Sequence, residues 1–407
     1  MIKSEARLVP STYFDWAATT PLCEEAASAM APYFTGGPDN LFFGGNANSL
    51  HSIGRAAFSA MEQARVDLAA CVNCRPDELY FTSGATEADD TALLGITHAA
   101  WEACKHKGDA AFVPHIIVSS IEHEAVLEPA HRLEREGVQV SYLKPNRAGF
   151  ITPEALQAEL RENTVLVSVM LANNEIGSVQ DVSALARVTH AAGALMHTDA
   201  VQALAKVRVD IQELGVDAAS FSAHKICGPK GIGALFVRKN VACQAFMLGG
   251  GQESGFRSGT QNVAGMVGFA AAAKAMCNEE FRASESKRLM ALRDELYRHL
   301  SAFEGVRASV ACGESSLDYL PNIANFVVQG IESETMILRL DRRGFAVSGG
   351  SACSSKSLAP NRVLTEIGLD KDSALCSLRV SMGRYTTSEA VEAFVDAFAE
   401  MLEWARS

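Results

Sequence analysis

The sequence predicts an α/β fold: a large domain on a mostly parallel sheet flanked by helices, with a smaller α+β domain packed on it. Three observations carry this. Short apolar runs alternate with helical patterns from about residue 55 to about residue 240. Beyond about residue 265 the texture changes to long helices with a few short strands. The length of 407 residues suits two domains.

Five runs, "HIIVSS" (115–120), "TVLVSVML" (164–171), "ALMHTD" (194–199), "AASFSA" (218–223) and "GALFVR" (233–238), each have the length and apolar content of a buried strand. Between the second and third, "DVSALARVTHAAG" reads as a helix capped by Asp181 and closed at Gly193. Such alternation places ligands at the carboxyl ends of parallel strands. Further on, "NVAGMVGFAAAAKAMCNEEF" continues into "RASESKRLMALRDELYRHLSAF" as one long helical stretch, followed by short strands in "NIANFVVQ", "GFAVSG" and "SLRVSMG". The expected division is a large domain, 16–264, and a small domain formed by 1–15 with 265–407.

The net charge of −12 argues against nucleic acid or an anionic membrane surface as the main partner, since both need clustered Lys and Arg. No apolar run reaches signal-peptide length at the N-terminus or the ~18 residues of a membrane span. A soluble cytoplasmic protein is expected. Its ten cysteines are then reduced thiols. "CVNC" (71–74) has CxxC spacing, but no second pair completes a metal site, and no metal is expected. Cys71 and Cys74 read as small residues at the end of an amphipathic helix.

Four stretches carry chemistry together. In "YFTSGATEADDTALLGI" (80–96) an apolar strand runs into Ser83-Gly84-Ala85-Thr86 and a helix opens, which makes an anion site of exposed amides. The same residues would also make an ordinary capped helix. In "HTDAVQAL" (197–204), Asp199 ends a strand, where a buried carboxylate needs a cation such as a protonated pyridine nitrogen, and Gln202 could bond a neighbouring ring oxygen. Alone, Asp199 is as easily a helix cap. In "SFSAHKICGPKGIGALFVR" (220–238), Lys225 stands between an apolar strand and a glycine-rich turn, the setting of a lysine that forms a Schiff base. Ser222 and His224 flank it closely enough to add phosphate contacts. A phosphate cradle, a pyridinium partner and a Schiff-base lysine are what a pyridoxal-phosphate enzyme requires. In "VSGGSACSSKSLAP" (347–360), Cys353 lies in a loop dense with Gly and Ser, where a nucleophilic thiolate is more at home than a buried structural thiol. Arg379, in "CSLRVSMGR", sits on a strand opposite the Leu378, Val380 and Met382 face, placed for bidentate capture of a carboxylate or for an interdomain salt bridge.

The motifs "FDWAATTPL", "GNANSLHSIGR", "FTSGATEADD", "SSIEHEAVLEP", "NNEIGSVQD", "HTDAVQ", "SFSAHKICGPKGIGALFVR", "GGGQESGFRSGTQN" and "SGGSACSS" follow in unbroken order from Tyr13 to Arg384. In them the chain resembles the cysteine desulfurases, members of the aminotransferase class V group of fold-type I pyridoxal-phosphate enzymes. The resemblance implies that Lys225 holds pyridoxal 5′-phosphate, Asp199 pairs with the ring nitrogen, Gln202 and Asn174 bond near the ring hydroxyl, and His123 stacks on the ring. It implies that Ala85, Thr86, Ser222 and His224 bind the phosphate. Thr260 would reach the phosphate of a neighbouring subunit, hence a homodimer. Arg379, with Asn174, would hold the carboxylate of L-cysteine. Cys353 would become a persulfide for a sulfur-acceptor or scaffold protein, in iron–sulfur cluster assembly or thiolation, and could contact a transient cluster.

Two positions depart from the family pattern: Ala223 stands where glycine is commoner, and Gly349 where serine is. The chain ends at "EMLEWARS", so no extension that docks a scaffold is expected after the last helix. Selenocysteine lyase, cysteine-sulfinate desulfinase and a transaminase of the same fold are the sister activities. A non-catalytic sulfur carrier would need no intact Lys225, Asp199 and Cys353.

Overall fold

A computed structural model describes residues 9–34, 45–350 and 360–407. Its large sheet has seven strands: β1 Leu79–Thr82, β2 His115–Ser119, β3 Gln139–Leu143, β4 Thr164–Ser168, β5 Leu195–Asp199, β6 Ala218–Ser222 and β7 Gly233–Val237. Their order across the sheet is β1-β7-β6-β5-β4-β2-β3. β7 runs antiparallel to both of its neighbours, and the other pairs are parallel. All five runs expected to be strands are among the seven. The helix expected after Asp181 spans Val182–Ala191, and the Asp181 carboxylate accepts from the Ala184 amide at 2.9 Å.

Strand periodicity sends successive side chains to opposite faces, and two cores result. Ile117, Val167 and Phe236 point into one, together with residues of the helices Ser52–Cys71 and Val263–Met276. Ile116, Val118, Leu166 and Leu235 point into the other, under the helix Ala85–His106. Burial on both faces explains why these strands read as continuous apolar runs rather than alternating ones.

A second, antiparallel sheet contains β8 Val306–Ala308, β9 Ile323–Val328 and β10 Ser377–Ser381 in the order β10-β9-β8. Its core includes Leu292, Leu296, Phe326, Phe394 and Phe398, and Phe14 from the N-terminal segment joins it. That segment runs along the sheet edge: the Phe14 amide donates to Ala346 O, and the Ser381 amide donates to Phe14 O, both at 2.8 Å.

Two expectations for this half of the chain change. The helical stretch is two helices, Val263–Met276 and Glu279–Leu300, because Asn278 caps the second by accepting from the Phe281 amide. "GFAVSG" makes only isolated bridges, Ala346 with Tyr13 and Ser348 with Arg379. Gly344 (φ 87°) and Gly350 (φ 135°) bound it in conformations outside the extended region, which cuts the strand short. Cys71 and Cys74 pack against the first core at the end of Ser52–Cys71, and no group of metal-ligating side chains occurs among the described residues.

Candidate active site

At the carboxyl ends of the parallel strands lies a cavity of about 460 Å³. The chain delivers parts of it at the ends of β1, β2, β4, β5 and β6. After β1 the chain turns at Ser83 and Gly84 and the helix Ala85–His106 begins with no side-chain cap, so Gly84, Ala85 and Thr86 bring an unsatisfied helix end to the wall. Glu87 fixes this turn. It accepts from the Ser83 amide at 2.8 Å and is itself held by the Arg257 guanidinium at 2.8 Å. The backbone of Gly84 rests on the start of β7: a Cβ at Gly233 would stand 2.6 Å from the Gly84 carbonyl carbon.

After β6 the chain makes a single turn, Ala223–Lys225, which carries Ser222, His224 and Lys225 to the cavity. The N-terminal segment straps this turn down. Lys225 Nζ donates to Ala17 O (2.5 Å) and Ala18 O (2.8 Å), and Thr20 Oγ1 donates to His224 O at 2.8 Å. His224 sits 3.2 Å from Thr19 Oγ1. Burial, followed by the charges of Lys225, Lys230 and Lys206, pushes its ring down to about 4, so it is a neutral hydrogen-bonding group at pH 7. A further lysine, Lys206, donates to the Lys225 carbonyl at 3.2 Å. Burial and then the Lys225 charge push it down to about 8.

β5 ends at Asp199, buried, accepting from the Val201 amide at 2.8 Å. Burial raises its carboxyl above the ordinary range. Gln202 donates to Ala17 O at 2.9 Å while its Oε1, buried, has no hydrogen-bond partner among the described residues. Beneath Asp199 the acids Asp89 and Glu122 are also buried. His197 lies between Ser168 Oγ (2.8 Å) and Ser220 Oγ (3.1 Å), 3.6 Å from Asp89, and burial pushes it down to about 3.

Glu122 gives a pH prediction. Burial raises its carboxyl to about 8, against the opposing effect of the Met170 amide that donates to it at 2.7 Å. The folded state therefore keeps a proton that the unfolded chain releases near pH 4 to 5. Its stability contribution is complete below that range and is lost as pH rises towards 8. Glu122→Gln removes this loss. The thermal midpoint of the variant relative to the parent should rise steadily between pH 5 and pH 8, and a flat difference would refute the assignment.

After β4 the chain reaches Asn174, whose Nδ2 donates to Glu175 Oε1 at 2.8 Å. After β2 comes His123, which caps the helix Glu124–Glu136 by accepting the Ala125 amide at Nδ1 (3.0 Å). It is both a helix-start histidine and a wall of the cavity. With Nδ1 used as an acceptor, its proton is on Nε2. Burial, ahead of the charges around it, lowers its pKa.

The small sheet contributes Arg379 from β10. Its Nη1 donates to Glu175 Oε1 (2.9 Å) and Asn174 O (3.0 Å), and its Nη2 to Asp15 Oδ1 (2.9 Å). Gly349 has a local cause: a Cβ there would stand 2.5 Å from the Ser333 Cβ. Thr260 is exposed and is not part of the cavity wall. Cys353 lies outside the described residues.

The cavity thus gathers Ala85, Thr86, His123, Asn174, Asp199, Gln202, Ser222, His224, Lys225 and Arg379, nearly every residue singled out from the sequence. Sequence reasoning missed Lys206, Glu122, Asp15 and Glu175. A charged residue amid apolar neighbours was the available signal for Lys206, in "VQALAKV".

A helix end open to an anion, a buried acid and a strapped lysine in one cleft of an α/β sheet define an enzyme of the aminotransferase type. The chain belongs to the aminotransferase class-V family, whose pattern matches residues 12–394. Among curated proteins it is 40% identical to the cysteine desulfurase IscS of Dictyoglomus turgidum, over 97% of this chain and 95% of that one. It is 42% identical to the cysteine desulfurase IscS of Azotobacter vinelandii, over 93% and 90%. Among solved structures it resembles a NifS-like protein (TM-score 0.85, 33% identity, 97% of this chain and all of that one). It also resembles SspA in complex with cysteine (TM-score 0.77, 31% identity, 92% of this chain and all of that one).

Proposed function

We propose that this protein is a pyridoxal-phosphate-dependent cysteine desulfurase. It takes the sulfur of L-cysteine, leaves L-alanine, and passes the sulfur from a Cys353 persulfide to an acceptor or scaffold protein. The observation that carries the reading is the convergence of Lys225, Asp199, His123 and Arg379 on one cavity that opens at an uncapped helix end. The relatives named as cysteine desulfurases and the neighbour solved with cysteine support it.

The residues fit the cofactor. The turn at Ala85 and Thr86, with Ser222 and His224, suits a phosphate. The buried Asp199 carboxylate calls for a cation, which a pyridinium nitrogen provides. The orphaned Gln202 Oε1 is an acceptor for a ring hydroxyl. Bound there, pyridoxal phosphate supplies the electron sink for bond breaking at the substrate α-carbon.

The chain's own groups do the rest. Lys225 moves the α-proton, its amine held beside the carbonyls of Ala17 and Ala18. Arg379 and Asn174 orient the substrate carboxylate. His123 covers the site and presents a proton on Nε2. The Cys353 thiolate receives the sulfur: an S–S bond forms as the substrate C–S bond breaks. The protein acts as a cytoplasmic homodimer, in which Thr260 serves the neighbouring subunit's phosphate site. It has a large cofactor domain, 16–264, and a small domain, 1–15 with 265–407, that carries the cysteine loop. No helix among the described residues is long and apolar enough to cross a membrane.

The test is sulfide and alanine production from L-cysteine by the cofactor-loaded protein with a reductant present. Equimolar products are expected. Neither product, with the cofactor bound normally, would overturn the reading and turn attention to selenocysteine and cysteine sulfinate as substrates.

A further inference from the structure

Arg379 is 1% exposed, yet the described residues do not saturate it. A guanidinium offers five N–H donors. Three are used, on Glu175, Asn174 and Asp15, and the buried Nε has no hydrogen-bond partner among the described residues. A buried donor left unmade is costly and is tolerated mostly where a site is built for a ligand. At the same time two carboxylates already face this one cation. A third anion, the carboxylate of an amino acid, would meet net repulsion unless one of them gave way.

The two are not equivalent. The Glu175 side chain is 2% exposed and takes donors from Arg379 and Asn174, with Asn361 Nδ2 at 3.3 Å on its other oxygen. The Asp15 side chain is 19% exposed, and Arg379 is its hydrogen-bond partner among the described residues. The backbone around Asp15 is pinned: the Trp16 amide donates to Ser381 O (3.3 Å) and the Ala17 amide to Ser381 Oγ (2.9 Å). Two residues further on, Ala17 carries the carbonyl that holds Lys225 and Gln202, and Asp15 meets the cavity wall through Arg379, which lines it. Rotation of this one side chain frees Nη2 without moving the strap.

We propose that Asp15 is a specificity-determining residue: it occupies Arg379 in the free enzyme as a stand-in for the substrate carboxylate, which must displace it to bind. The proposal rests on the reading of Arg379 as the carboxylate receptor. It makes an α-carboxylate obligatory, because a thiol amine without one cannot displace Asp15 and leaves the guanidinium closed. Glu175 remains on Nη1 throughout and fixes the plane of the guanidinium.

The test uses the cofactor-loaded enzyme and propionate as a bare carboxylate probe, its affinity read from the thermal shift it causes. KM for L-cysteine is measured alongside. Asp15→Asn should tighten propionate binding and lower KM by about three- to tenfold, the scale of one partly exposed charge-assisted hydrogen bond. Arg379→Gln should weaken both by about tenfold or more. If Arg379→Gln changes neither, the receptor reading fails and the proposal falls with it. If Arg379→Gln weakens both but Asp15→Asn leaves them equal or weaker, the receptor stands and the role of Asp15 is overturned. Asp15→Ser, smaller and uncharged, carries the same expectations if the asparagine variant does not fold.

Discussion

Lys225→Ala is expected to abolish turnover, by about four orders of magnitude or more, because under the proposed function this one side chain would be both the covalent anchor of the cofactor and the base. The fold should survive. Lys225 Nζ meets the carbonyls of Ala17 and Ala18, but the strap has other ties: Thr20 Oγ1 and the Thr20 amide both donate to His224 O, and the Cys227 amide donates to Thr20 Oγ1. Cofactor should then bind only reversibly, and dialysis should remove its visible absorbance. Lys206 is the nearby amine that could substitute in part, since it lies against the Lys225 carbonyl and burial holds its pKa down to about 8. Lys225→Ala combined with Lys206→Met should remove any remaining trace. Full activity in the single variant would mean that another residue holds the cofactor.

Cys353→Ala is expected to keep the cofactor absorbance and L-cysteine binding while sulfide formation falls by about two orders of magnitude or more. The described residues on either side of the Cys353 segment are tied beside Arg379: the Ser348 amide exchanges hydrogen bonds with the Arg379 backbone, and Asn361 Nδ2 donates to Glu175. Gly350 lies against Asn361, close enough that a Cβ there would stand 2.5 Å from its Nδ2. Undiminished sulfide release from the variant would sink the persulfide step.

Much of this was readable in the sequence because the parallel strands carry their chemistry at their ends. Ser222 to Lys225, Asp199 and the turn at Ala85 each follow directly on a strand that composition alone reveals. What stayed hidden depends on distances along the chain that no local pattern encodes. Asp15 and Arg379 are separated by 364 positions, and nothing in "YFDWAATTP" says which cation its acid meets. β3 was missed because its residues lie at a sheet edge, with mixed exposure and no apolar run. The reversal of β7 was within reach: only residues 223–232 separate it from β6. A parallel crossover needs a dozen residues or more, usually with a helix, whereas this link is glycine-rich and short.

That reversed strand acts as a ruler. It lies between β1, which ends at the turn of Ser83 and Gly84, and β6, which ends at the lysine turn. Two strand spacings, about 9.5 Å, therefore separate the backbone of the turn after β1 from that of the turn that carries Lys225. That separation is set by the backbone ladder rather than by side chains. Gly233 sets the packing at one end, because a Cβ there would press on the Gly84 carbonyl carbon and lift the turn off the sheet. Under the proposed function, adapting the cleft to a longer or shorter cofactor would require rebuilding the sheet, whereas changing the substrate would require only new residues around Arg379.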